Sequence, residues 1–365
     1  MTHLALAVAS AAALALHAEP EKIPSVPFET FKLPNGLNVI LSEDHTAPIV
    51  GVDVHYDVGS KDEKPGRTGF AHLFEHLMFQ GSESVEKLAH FRYVQGSGGT
   101  CNATTQQDWT QYHQVVPAVA LERALFCEAD RMRAPRLTAE NLRNQVDVVS
   151  EEIRLNVLDR PYGGFPWLWL PPVLYRGFAN AHNGYGDFTD LNQATVEDCA
   201  AFFDAYYPPA NAVLTIAGDV EVGPALALVE RHFGDVPARP AAKRVDTGEP
   251  SPGDARRAAH ADAKAPLPAV AVGYRLPPPS ALDAYLAHVV LAATLADGET
   301  SRLRQRLVHQ DALVVETDAS CGFFGPFQAR DPDTFVLTAT HPGDVTADQV
   351  LTAADEEVRR LAEHG

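Results

Sequence analysis

The segment AHLFEHLMFQGS, residues 71–82, sets His72, Glu75 and His76 among apolar side chains. In a helix, residues four apart lie on one face about 6 Å from each other, so the two imidazoles can reach one point. Burying such polar groups without partners is costly in free energy. A divalent cation satisfies two neutral imidazoles at once, and imidazole with carboxylate is a ligand set typical of zinc. The pattern therefore predicts a metal-binding helix, with a histidine pair hydrogen-bonded inside the core as the alternative.

A third ligand is predicted on a later helix, because a hydrolytic zinc site needs three protein ligands and one open position. Residues 138–158 space their apolar side chains as a helix does, and Glu152 lies at the edge of that stripe. Gln145 lies two turns earlier on the same face and could orient the ligand. Glu151 points about 100° away and is the weaker candidate. The order H-x-x-E-H inverts the H-E-x-x-H zinc helix and is the inverzincin signature.

Strands and hairpins are expected around the metal helix. Asn35-Gly36 between two apolar runs predicts a β-hairpin. Residues 49–58 alternate apolar and polar side chains as a half-buried strand does, and a second hairpin is expected from about residue 102 to 116. The remaining histidines are predicted to be surface or loop residues that bind no metal, among them His55, His113 and His182.

The second half of the chain repeats the element order of residues 48–132 at low resolution: a strand, two helices, two strands and a helix. If the two halves began as equals, the second copy stops about 90 to 100 residues short. We therefore predict four segments, which are a signal peptide (1–18), a domain carrying the zinc helix (19–234), a linker (235–255) and a second, incomplete repeat (256–365).

Composition and charge bound the possible functions. A net charge of -19 over 365 residues argues against a non-specific nucleic-acid binder, which needs a positive surface. Residues 4–16 are apolar but too few to span a bilayer, and they resemble a signal peptide cleaved after Ala18. We expect export to the periplasm, with a cytoplasmic protein as the alternative, and no membrane span. The four cysteines show no C-x-x-C spacing, which excludes a zinc knuckle or dithiol motif and leaves disulfide pairing open.

Several motifs follow one another in the order found in a known protein family: GFAHLFEHLMFQGSE, GGTCNATT, CEADRM, NQVDVVSEEI, RPYG, YYPPANAVLTIAGDV and SRLRQRLV. From about residue 28 to 340 the chain resembles the pitrilysin, insulinase and mitochondrial-processing-peptidase family of zinc peptidases, in particular the zinc-bearing subunit of its bacterial processing-peptidase branch. The resemblance implies an α+β fold of two homologous repeats that face each other across a cleft. Each repeat would be an antiparallel sheet with helices packed on one face, the second truncated at its C-terminus.

The resemblance also implies a site. Three residues would be zinc ligands, namely His72, His76 and Glu152. Glu75 would be the general base that takes a proton from the zinc-bound water. Peptide substrates of the family add to an edge strand near the metal, and the matching stretch here contains Asn102 and Ala103. For Asn102, a turn residue at the start of a hairpin is the alternative. Because such pairing contacts mainly the peptide backbone, broad specificity toward short or unfolded peptides is expected.

The chain departs from the family in its second half. Members active on their own carry there an Arg and a Tyr, seven positions apart, that contact the substrate carbonyl; this chain has Val308 and Val315. The resemblance therefore implies that a homologous partner subunit, in a heterodimer or a homodimer, supplies this pair.

The sequence thus predicts a zinc metalloendopeptidase that cleaves short or unfolded peptides, with water activated by Glu75. The alternative is a catalytically weak, metal-binding assembly or interaction subunit of the same fold, which the two valines and the short second repeat would permit. The free carboxylate of Glu75 favours the peptidase, since a purely structural zinc site does not need it. A quorum-signalling lyase with the inverzincin order fits less well, because that family is far shorter and gives no account of Glu152.

Overall fold

The computed structural model of the chain describes residues 25–251 and 253–364. It contains two compact units. The first unit comprises residues 25–153 and Asn183–Asp246, and the second comprises Arg154–His182 and the chain from Thr247 onward. The predicted signal peptide, residues 1–18, lies outside the described residues. Within the described ranges, no helix is both long and apolar enough to cross a membrane.

The first unit is built on a six-stranded sheet with the strand order β1-β2-β6-β3-β5-β4. Its strands are β1 (Glu29–Lys32), β2 (Asn38–Glu43), β3 (Ile49–Tyr56), β4 (Thr100–Thr105), β5 (Thr110–Pro117) and β6 (Ala212–Gly218). Neighbouring strands are antiparallel except β2 and β6, which run parallel. The sheet predicted to be antiparallel is therefore mixed at one pair, because β6 joins it after a long helical crossover instead of a hairpin.

Local sequence explains the framework of this sheet. The Asn35-Gly36 turn joins β1 to β2 as predicted, and Gly36 has a φ of 96°. A Cβ at Gly36 would lie 2.9 Å from the Cβ of Ala210, so the turn needs glycine for conformation and for space. The alternation along β3 buries one face of the sheet, while the opposite face stays partly accessible.

Helices pack on the buried face of the first unit. They are α1 (Phe70–Leu77), α2 (Ala89–Gly96), α3 (Leu121–Arg133), α4 (Ala139–Ile153), α5 (Phe188–Asn192), α6 (Val196–Tyr206) and α7 (Val222–Phe233). Short 3-10 turns occupy Ser60–Asp62, Ala118–Ala120 and Pro209–Asn211. The ring of Phe74 on α1 lies 4.8 Å from that of Tyr207, and the Tyr112 hydroxyl of β5 donates to the Phe74 carbonyl at 3.4 Å. These contacts dock α1 on the sheet.

The second unit repeats this plan with fewer strands. Its sheet has the order β7-β9-β8, with β7 (Ala269–Arg275), β8 (Glu316–Cys321) and β9 (Thr334–Thr340). Its helices are α8 (Leu282–Ala296) and α9 (Ala347–His364), with π-helical turns at Arg154–Leu158 and Arg304–Gln310 and short helical turns at Pro171–Leu174 and Phe178–Ala181. The spatial order β7-β9-β8 matches the order β3-β5-β4 in the first unit. A helix follows β7 in the sequence, as α1 follows β3. The predicted α+β fold of two repeats is confirmed.

The compact units do not follow the predicted segments throughout. The aromatic stretch at 154–182 belongs to the second unit, where the Tyr175 hydroxyl lies 2.6 Å from the Thr334 hydroxyl of β9. The start of the predicted linker belongs to the first unit, where Arg244 lies 3.4 Å from the buried carboxylate of Asp62. The four predicted segments were drawn from the repeated order of elements in the sequence, and their boundaries remain a prediction. The four cysteines, whose pairing the sequence leaves open, are free.

Candidate metal centre

The start of α1 is fixed by a buried carboxylate. The backbone N–H groups of Gly69 and Ala71 donate to the two carboxylate oxygens of Glu63 at 2.8 and 2.9 Å. The first N–H groups of a helix have no partner within the helix, and negative charge there interacts favourably with the helix dipole. Glu63 therefore sets the position and direction of the helix that carries His72, Glu75 and His76.

The structure brings three predicted residues together. Oε2 of Glu152, on α4, lies 3.6 Å from Nε2 of His72 and 3.3 Å from Nε2 of His76. One potential ligand atom from each residue lies within 4.8 Å of the other two, and among the described residues these form the one such group of three. The two imidazole rings are nearly perpendicular, with centroids 4.9 Å apart. Glu151, the weaker candidate, is exposed.

These distances fit a zinc ion. Two donor atoms that are each about 2.0–2.1 Å from a tetrahedral zinc lie about 3.4 Å apart, which matches the two nitrogen–oxygen distances. Two imidazoles and one carboxylate also form the donor set of catalytic zinc sites, which leaves a fourth position open.

The protonation states of two of the three residues, His72 and Glu152, favour a metal as well. Burial, with the nearby His76 charge, lowers the pKa of His72 to about 4, so that this imidazole is neutral at pH 7. The hydrogen bond with His76 is the main reason why the pKa of Glu152 falls to about 2. Burial lowers the pKa of His76, but the hydrogen bond to Glu152 and the charges of Glu75 and Glu152 raise it overall. His72 and Glu152 are thus in the protonation states that bind a metal, whereas a proton on His76 would have to leave before that imidazole could coordinate one.

Glu75 lies on the same helix but outside this group of three. Burial raises the pKa of its carboxyl, against the opposing effect of hydrogen bonds from the side chain and backbone of Thr105. Thr105 is the last residue of β4, which is an edge strand that pairs with β5 alone among the strands of the described sheet. The predicted substrate-binding residues lie on that strand, with Asn102 exposed and Ala103 buried.

Gln145 is buried on α4 beside His76 and helps to raise the pKa of that imidazole. Its side-chain N–H also donates to the Asn144 side chain at 2.9 Å. Gln145 therefore contacts the candidate site through His76 on α1. The sequence had suggested instead that it orients Glu152, the ligand on its own helix α4.

The other singled-out residues lie elsewhere. His55 stacks near Trp109, with ring centroids 5.3 Å apart, and His182 binds the Phe178 carbonyl at 2.7 Å. His113 opposes Asp53 across β3 and β5. Neither they nor any other described histidine joins the group of three. In the second unit, Val308 packs against the core and Val315 is half exposed.

Sequence reasoning missed Tyr185. Its hydroxyl donates to Oε1 of Glu152 at 2.8 Å, and its ring stacks on His72 with centroids 4.8 Å apart. The available signal was the G-Y-G triplet in AHNGYGD, where flanking glycines allow close approach of the backbone. That triplet alone does not indicate which side chain the tyrosine contacts, so it could not link Tyr185 to Glu152.

Two family models match the chain. Residues 38–159 match the model described as insulinase, peptidase family M16, and residues 193–365 match the one described as the M16 peptidase inactive domain. The chain belongs to the M16 family of peptidases. The first match contains α1 and α4, the helices that carry His72, His76 and Glu152, and the second covers the repeat with Val308 and Val315.

Similar proteins carry this assignment further. The protein named zinc protease PqqE of Helicobacter pylori is 29% identical over 347 residues, which cover 92% of this chain and 74% of that protein. A crystal structure of a protease from Helicobacter pylori has a TM-score of 0.83 and 26% identity, over 92% of this chain and 80% of the other. The human mitochondrial cytochrome b-c1 complex subunit 1 is 26% identical over 245 residues, or 67% of this chain and 50% of that protein. This M16 protein is therefore similar both to named proteases and to a subunit of an assembly.

Proposed function

We propose that this M16 protein is a zinc metalloendopeptidase that cleaves short or unfolded peptides. The observation that carries the proposal is the convergence of His72, His76 and Glu152 within 4.8 Å of one another. Glu75, which takes no part in that group, lies one turn from His72 on the same helix. The similarity to a protein named zinc protease supports the same reaction.

The proposed roles follow from the chemistry of each side chain. His72, His76 and Glu152 would hold the zinc, and Glu75 would act as the general base. Zinc, when bound, would supply a water molecule of lowered pKa and polarise the carbonyl that is attacked. A carboxyl group whose pKa is raised by burial accepts a proton more readily near neutral pH, which suits Glu75 to take the proton and return it to the leaving amine.

The substrate is proposed to pair with β4. One side of this strand carries no partner strand in the described sheet, and an extended peptide can add there through main-chain hydrogen bonds. Asn102 and Ala103 would lie along that peptide. Because Thr105 ends the same strand and lies close enough to Glu75 to lower the pKa of its carboxyl, the peptide would run toward the catalytic carboxylate. Recognition of main chain predicts low selectivity for side chains.

We also propose that a homologous subunit, or a second copy of this chain, completes the site. Val308 and Val315 cannot donate hydrogen bonds to a substrate carbonyl, so the expected Arg and Tyr must come from another chain. Export to the periplasm is part of this proposal and rests on the predicted signal peptide alone.

Cleavage of a quenched fluorescent peptide mixture tests the proposal. The zinc-loaded protein is assayed alone and with a homologue encoded beside it, and Glu75→Gln serves as the inactive control that keeps all three ligands. Cleavage that disappears in Glu75→Gln is expected. Stoichiometric zinc without cleavage in either mixture would contradict it.

That negative result would favour a second candidate, a metal-binding assembly subunit with little activity. Two observations support this candidate: the valines at 308 and 315, and the similarity to a subunit of the cytochrome b-c1 complex. Stable complex formation with the homologue, together with absent cleavage, is the result it predicts.

A further inference from the structure

The two oxygens of the Glu152 carboxylate have different partners. Oε2 lies 3.3 and 3.6 Å from the two histidine nitrogens, whereas Oε1 accepts a hydrogen bond from the Tyr185 hydroxyl at 2.8 Å. The Tyr185 ring stacks on His72, with centroids 4.8 Å apart and 29° between the ring planes. One side chain thus contacts ligands on both α1 and α4.

Tyr185 is held in place by its own loop, residues 183–187, which we call the tyrosine loop. The Asn183 side chain accepts from the Tyr185 N–H at 2.9 Å and donates to the Gly186 carbonyl at 3.0 Å. A Cβ on Gly184 would lie 2.5 Å from the Cβ of Ser60, so this glycine allows a close approach that a larger residue would block. The loop is therefore ordered by contacts that do not involve the metal ligands.

The tyrosine loop is also joined to the start of α1. The Asp187 N–H donates to the Thr68 hydroxyl at 3.1 Å, and that hydroxyl donates to Asp190 at 2.7 Å. Gly69 and Gly186 touch: a Cβ on Gly69 would lie 2.6 Å from the Cα of Gly186. The segment that begins α1 and the loop that carries Tyr185 are thus joined by direct contacts.

We propose that Tyr185 is a positioning residue of the zinc centre, which holds Oε1 of Glu152 so that only Oε2 is offered to the metal. This rests on the proposed zinc site but not on peptidase activity. Partners that orient a ligand in this way typically change metal affinity about 10- to 100-fold when they are removed. Stacking on His72 would fix the plane of that imidazole at the same time.

The test measures the metal directly. Zinc affinity is determined by competition with a chromophoric chelator, and cobalt substitution reports the coordination number through its visible absorption. Tyr185→Phe keeps the stacked ring and removes the hydroxyl. Tyr162→Phe is the matched control, because its hydroxyl donates to the Leu267 carbonyl at 2.8 Å in the second unit.

For Tyr185→Phe we expect zinc binding about 10- to 100-fold weaker and weaker cobalt absorption, because a released carboxylate can bind through both oxygens. Tyr162→Phe should match the wild type in both. Zinc affinity within about twofold of wild type, with an unchanged cobalt spectrum, would overturn the inference. If Tyr185→Phe does not fold, Asn183→Ala tests the same placement: weaker zinc binding supports it and wild-type binding overturns it. A wild type that binds zinc but cleaves no peptide would count against the proposed function alone.

Discussion

The contact that anchors α1 gives a prediction whose size follows from the structure. Glu63 is 4% exposed and accepts two backbone N–H groups at 2.8 and 2.9 Å. Hydrogen bonds to a charged group each contribute about 1.5–3 kcal/mol, and neutral ones about 1 kcal/mol. Glu63→Gln keeps one acceptor oxygen but turns an amide N–H₂ toward a backbone N–H. One bond is lost and the other weakened, so the start of α1 should be destabilised by about 3 kcal/mol.

Hydrogen exchange of the amides of α1 in the metal-free protein measures this effect locally. A loss of about 3 kcal/mol corresponds to exchange roughly 100-fold faster. The control is Glu86→Gln. The Glu86 side chain is 80% exposed and lies 3.4 Å from Arg92, and an exposed ion pair of this kind contributes less than about 1 kcal/mol. If Glu63→Gln exchanged no faster than Glu86→Gln, the carboxylate would not be what holds the helix.

Three further predictions concern the same unit. Gly69 and Gly66 have φ of 82° and 80°, but of these two only Gly69 would bring a Cβ against backbone atoms. Gly69→Ala should therefore lower Tm and zinc affinity more than Gly66→Ala does. Equal effects of the two substitutions would contradict the close contact at Gly69. Burial, assisted by a nearby arginine, lowers the pKa of His90 to about 3, while the unfolded chain titrates near 6.5. Only the unfolded state binds this proton between those values, so acidification from pH 7 to 5 should cost about 2 kcal/mol of unfolding free energy in urea titrations, and His90→Gln should remove that share. Glu152→Gln should weaken zinc binding about 100-fold or more, whereas Glu151→Gln, one residue away and exposed, should leave it unchanged in the same chelator competition.

Helix periodicity was sufficient to choose the face of each helix that carries candidate ligands, and the family resemblance implied that these faces meet. His72 and His76 share a face at a spacing of four, and the stripe on α4 favoured Glu152 over Glu151. Both inferences need only local geometry. The same reasoning could not find Tyr185 or Glu63, because each reaches the site through a loop whose path depends on tertiary contacts such as that between Gly69 and Gly186.

The fold was predictable to a similar extent. Alternation along β3 and the Asn35-Gly36 turn predicted strands where the structure has them, and the repeated order of elements predicted two related units. The parallel pairing of β2 with β6 was not predictable, since strand alternation carries no information about which strand becomes a neighbour. The affiliation of residues 154–182 with the second unit depends on side-chain packing, such as that of Tyr175 on β9, which a pattern of apolar residues does not specify.

X-ray absorption at the zinc edge, on protein dialysed against micromolar zinc, tests the metal centre most directly. We expect one zinc per chain, with nitrogen and oxygen neighbours at about 2.0–2.1 Å that include two imidazoles, and loss of this signal in His72→Ala. A sulfur neighbour at about 2.3 Å would place the metal on one of the free cysteines instead. Either that result or the absence of bound zinc would contradict a site formed by His72, His76 and Glu152.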